Sequence, residues 1–125
     1  MSADPAYMER LRRLSMSDRR YLEHVLGASD VGVDDPVMGE LDARTRALVR
    51  VAALVALDGP SSAFDCTVAA AQAAGATADD IVDAMVAVGA TVGSAHLVSA
   101  APKVAMALGY DVGADLERLG PTPGA

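Results

Sequence analysis

Five side chains in this sequence could do chemistry by their type and position: Arg50, Cys66, His96, Ser99 and Lys103. His96, Ser99 and Lys103 stand at i, i+3 and i+7, so on a helix they would share one face. An imidazole titrates near neutrality and can move a proton, a hydroxyl beside it can orient a ring nitrogen or a substrate, and an ammonium can hold an anion. Two readings of His96 stay open. It is either a general acid/base or carboxylate ligand in a pocket, or a structural histidine bonded to a backbone carbonyl or across a subunit contact. Arg50 precedes the apolar run VAALVAL, and a guanidinium that stays charged there needs a carboxylate. That carboxylate is either a protein group (Asp42, Asp65 or Asp83) or part of a small substrate gripped by both arms of the fork.

Cys66 is the one cysteine of the chain. In an alanine-rich helix it reads as a small buried hydrophobe, since free cysteine is among the most buried residue types. A reactive thiolate would need a cation or a helix amino end, and the neighbouring Asp65 opposes it. With no second thiol there is no intrachain disulfide and no dithiol peroxidase cycle. A lone thiol fits a reducing cytoplasm. One histidine in this region falls short of the three or four ligands of a metal site. Glycine-rich phosphate loops and nicotinamide fingerprints are absent, because Gly89 and Gly93 lack the strand context such motifs need.

The elements that must position these groups read as helices throughout. Tyr7, Met8, Leu11 and Leu14 recur at helical spacing over Pro5 to Leu14, and Ser17 offers a cap for a second helix from Asp18 to Leu26. The Gly-, Asp- and Pro-rich segment from Ala28 to Gly39 reads as a loop. Asp42 caps a helix over Ala43 to Leu57, which Asp58-Gly59-Pro60 stops with Gly59 at the left-handed end. Ser61 or Ser62 caps the next helix, which closes at Gly75. Thr77 and Asp80 then form a capping box for a helix facing Ile81, Met85, Val88 and Val92 inward. A last long helix runs from Gly93 to Leu108, kinked or split at Pro102, and a short one covers Asp111 to Leu119.

The chain thus divides into an N-terminal helical segment and loop (1–40), a helical core (41–110) and a short helix with a tail (111–125). Alanine supplies about a fifth of its 125 residues and aromatics only 3%, a composition for an all-α fold with closely packed helices. The net charge of −7 argues against nucleic acid, which requires a basic patch. The arginines of the first twenty residues alternate with acids and read as a solvated face. Ala84 to Pro102 carries no formal charge, but its polar residues and the break near Gly93 argue against a membrane span. The surplus of aliphatic and small residues in Ala84 to Leu108 points instead to a homo-oligomer.

The stretch LDARTRALVRVAALVALDGPSSAFDCTVAAAQAAG, followed by ATADDIVDAMVAVGATVG, resembles the carboxymuconolactone decarboxylase and AhpD-like superfamily. Redox-active members place Glu, Cys, Cys and His across this window. Here those positions fall on Ala47, Gly59, Ser62 and Cys66, or on Thr67 for the last when counted back from Gly75. The resemblance therefore implies an AhpD-like helical fold of the subgroup without the cysteine pair, a trimer or hexamer, and no cofactor. It implies a lyase-type, cofactor-free enzyme on a small carboxylated or lactone-type ring; on that reading His96, in place of the absent family histidine, and Cys66 would be catalytic, and Arg50, Ser99 and Lys103 would bind substrate. The competing reading is a non-catalytic oligomeric binding or accessory protein.

Overall fold

The computed structural model describes residues 5–27, 41–110 and 112–119. Among them the chain is all-α, with seven helices and no strand. It divides into two compact units, Met1–Leu41 and Asp42–Ala125. The loop expected over 28–39 and the tail over 120–125 lie outside the described residues.

The first unit holds α1 (Ala6–Ser15) and α2 (Arg19–Gly27). Ser17 does not cap α2. It takes a left-handed turn conformation (φ 55°), and Asp18 accepts from the Tyr21 amide at 3.1 Å. Aspartate and serine cap helices about equally well, and here the left-handed turn at Ser17 puts Asp18 in the capping place. Tyr21 is buried beneath the Arg13 guanidinium, 5.8 Å from its ring centre.

In the second unit, α3 (Ala43–Leu57), α4 (Ser61–Ala73), α5 (Ala78–Val92) and α6 (Ser94–Ala107) pack in a ring, each against two neighbours in the order α3, α4, α6, α5. Every helix turns a stripe of spacing three or four inward: Ala47, Val51 and Val55; Phe64, Val68 and Ala71; Ile81 and Met85; Ala100 and Val104. Phe64 is the only aromatic in this core. The small side chains let the helices approach closely, and Gly89 shows why: a Cβ there would lie 2.6 Å from the Leu97 side chain.

In this second unit the caps follow the sequence with two exceptions. Asp42 accepts from the Thr45 amide at 2.7 Å, and Thr77 and Asp80 exchange both bonds of their capping box at 3.0 and 2.9 Å. Pro60, rather than Ser61 or Ser62, occupies the cap of α4, which has no side-chain cap. The left-handed residue after α3 is Asp58 (φ 53°), not Gly59. Gly59 is buried against Leu54, whose Cδ2 a Cβ at that position would push aside from 2.9 Å. Pro102 sits inside a continuous α6; it lacks the amide that would bond one turn back, and the surrounding packing holds the helix together. Gly109 (φ 77°) ends that region, and α7 (Val112–Leu119) follows. No described helix is long and apolar enough to cross a membrane.

Candidate functional site

The face shared by His96, Ser99 and Lys103 turns toward the corner between α3 and α4, where a residue not foreseen from sequence collects it. Ser99 Oγ donates to Asp58 Oδ1 at 2.6 Å, and Lys103 Nζ donates to the same oxygen at 3.3 Å. Lys103 also donates to the Gly59 carbonyl at 2.8 Å and lies 5.9 Å from the centre of the Phe64 ring. The left-handed turn at Asp58 aims its carboxylate across at α6, and aspartate accepts that conformation more readily than bulkier residues do. The Ser99 hydroxyl and then the Lys103 ammonium hold the Asp58 carboxyl below the usual aspartate range, with a smaller contribution from the positive potential of His96. The His96 ring is half-buried, and its Nδ1 lies 3.3 Å from the Val92 carbonyl one turn back. With its proton on Nδ1, the ring would donate to that carbonyl.

Arg50 and Cys66 do not join this cluster. Arg50 is half-buried on α3 and already has an interaction partner. Cys66 is exposed, against the expectation of a buried small hydrophobe. The reason is register: Phe64 and Val68 take the inward positions of α4 and leave Asp65 and Cys66 facing out. Asp58 escaped the sequence reading because an acidic residue before Gly-Pro signals only a helix end. Nothing local marks it as the partner of side chains 41 and 45 residues further on.

Two open apolar grooves flank α5. One, of about 570 Å³, runs between α5 and α6 with Val82, Met85, Val104 and Leu108 along it and Asp79 and Tyr110 among its lining residues. The other, about 560 Å³, lies between α3 and α5 over Leu48, Val49, Ala52 and Val88, with Asp80 and Asp83 among its lining. None of Arg50, Cys66, His96, Ser99 and Lys103 lines either groove. Among the described residues, no group of three or more His, Cys, Asp or Glu side chains could hold a metal ion.

Residues 24–105, about two thirds of the chain, match the carboxymuconolactone decarboxylase family. The chain belongs to that family. No curated protein and no solved structure matches it. The family match reaches back through α2 to His24, further than the resemblance read from sequence. Of the residues that the sequence analysis set at the redox motif, Ala47 and Gly59 are buried, Ser62 and Cys66 are exposed, and Thr67 is half-buried.

Proposed function

We propose that this chain is a homo-oligomeric binding or accessory member of the family, in which the polar groups of α6 serve to hold the fold. The observation that carries this reading is the Asp58 cluster: Asp58 and the Gly59 carbonyl engage the Ser99 hydroxyl and two of the three N–H groups of Lys103. A donor so engaged can grip a substrate carboxylate only after breaking a charge-assisted bond. The apolar grooves along α5 supply contact surface, in keeping with assembly as a trimer or hexamer. On this reading Lys103→Met lowers the melting temperature, while the affinity for any small carboxylated ligand stays unchanged in the folded fraction. An unchanged melt together with lost ligand affinity would reverse the conclusion.

A second reading is favoured by one specific observation, the half-buried His96 one turn before Ser99 on α6, whose hydroxyl meets Asp58. The chain would then be a cofactor-free enzyme on a small carboxylated or lactone-type ring. As a carboxylate departs as CO₂, the electron pair left on the ring carbon takes a proton from the His96 imidazolium. Lys103, released from Asp58, would hold the substrate carboxylate, with Ser99 orienting the ring. His96→Gln would then lower turnover by ~10²-fold with an unchanged melt. Assay of wild type and both variants on a carboxylated lactone, with melts on the same samples, separates the two readings. Peroxide turnover with dithiol reductants is expected from neither, since a sulfenic acid at Cys66 has no resolving thiol in the chain.

A further inference from the structure

Helices α5 and α6 pack as an antiparallel hairpin that turns at Gly93, which brings the start of α5 and the end of α6 to one end of the pair. The groove of about 570 Å³ between them therefore has two unlike ends. At the open end of the hairpin stand Asp79, in the first turn of α5, and Tyr110, three residues past α6. Toward Gly93 the walls are apolar, with Val82 and Met85 from α5 and Ala101 and Val104 from α6. Every described residue that lines the groove belongs to the second unit, so two neighbouring helices set its shape.

The polar end has bonding capacity that the fold does not use. Asp80 is taken up by the Thr77 amide and Arg44, whereas the Asp79 side chain makes no hydrogen bond or ion pair among the described residues. The Tyr110 hydroxyl has none there either, and that residue is 55% exposed. The amino end of α5 eases the charge of Asp79 without occupying its lone pairs. No Lys, Arg or His lines the groove among the described residues. A carboxylate and an aromatic face at the mouth of an apolar groove suit an ammonium group: the carboxylate accepts its N–H bonds and the ring faces its charge. A ligand carboxylate would meet like charge there, and a neutral head would leave Asp79 unanswered. From Asp79 to Met85 the groove follows α5 for about 9 Å at 1.5 Å per residue, and its volume lies in the range of small-molecule sites.

We propose that the groove between α5 and α6 binds a small apolar amine. Asp79 and the Tyr110 ring hold its ammonium group, and its hydrocarbon body lies along Val82, Met85 and Val104. The inference rests on the binding half of the reading above and gives it a ligand class. It leaves the groove between α3 and α5 as the contact surface for assembly.

Hexylamine, hexanol and hexanoate share a chain length and differ in the head group, so they serve as probes of the full chain at neutral pH. Followed by methyl NMR, hexylamine should shift Val82, Met85 and Val104 and bind about tenfold more tightly than hexanol, with hexanoate weaker still. Asp79→Asn should lower the hexylamine affinity by about three- to fivefold and leave that of hexanol unchanged. Asp65→Asn, which removes the same charge from an exposed place on α4, should change neither. Ala101→Leu, at an exposed position of the groove wall, should abolish binding while helical content stays native. The inference is overturned by equal affinity for hexylamine and hexanol, by equal effects of the two Asn variants, or by binding that survives Ala101→Leu. It is also overturned if millimolar hexylamine shifts none of the groove methyls. That last result in a chain sedimenting well above 12.7 kDa leaves the oligomeric reading standing. A 12.7 kDa monomer that binds hexylamine in this way supports the inference and sinks the oligomeric reading alone.

Discussion

Two corners of the four-helix ring are each closed around one aspartate, and they are built in different ways. At the start of α5, Asp80 accepts from the Thr77 amide three residues earlier and pairs with Arg44 of α3 at 2.8 Å. At the end of α3, Asp58 has no such neighbour and draws its donors from Ser99 and Lys103 on α6. Both carboxyls are held below the ordinary aspartate range. For Asp80 the first cause is the Thr77 backbone, followed by Arg44; for Asp58 it is the Ser99 hydroxyl, followed by Lys103. The same charge state is reached at Asp80 first through its own chain, with Arg44 of α3 added, and at Asp58 wholly through the meeting of distant elements. A local cap forms with its helix, whereas the Asp58 cluster exists only when α3, α4 and α6 have packed.

The largest expected effect tests that dependence through the core beneath the Asp58 corner. Phe64 is fully buried under Lys103, and Phe64→Ala should cost about 3–5 kcal/mol through lost burial and the cavity left behind. Chemical denaturation would measure this. The bonds of Asp58 should loosen with it, visible as a rise of the Asp58 carboxyl toward its ordinary value in NMR titration, while Asp80 keeps its low value. Equal movement of both carboxyls would erase the distinction between the corners.

A smaller effect is expected at the local corner. Thr77→Ala removes one half of the capping box and should cost about 1 kcal/mol in the same denaturation experiment, with Thr77→Ser restoring most of it. The low Asp58 carboxyl should survive this change, because none of its donors lies on α5.

The smallest effect is the dependence on pH, since both carboxylates are open to solvent and their interactions are screened. A carboxyl depressed in the folded state stabilises the fold fully above its unfolded pKa, and that contribution disappears as pH falls through the folded value. Stability should therefore decline as the pH drops below the ordinary carboxylate range. Asp58→Asn should remove part of this slope, and so should Asp80→Asn. Melts across acidic pH that match the wild-type slope in Asp58→Asn would show that the Ser99 and Lys103 bonds contribute nothing in solution.

The sequence by itself determined whatever depends on near neighbours. Ala-rich composition and apolar spacing set the all-α class, and Asp42, Thr77, Asp80, Gly75 and Gly109 placed helix ends because caps and left-handed glycines act within four residues. The common face of His96, Ser99 and Lys103 was also legible, since helical periodicity alone puts them there. The tertiary structure decided what that face meets. It set Asp58 against Ser99 and Lys103, left Cys66 in solvent by giving Phe64 and Val68 the inward positions, and carried α6 unbroken through Pro102. The pairing of residues more than forty positions apart is fixed by which helices pack side by side. That is settled by burial of the apolar stripes as a whole, and no local signal in the chain encodes it.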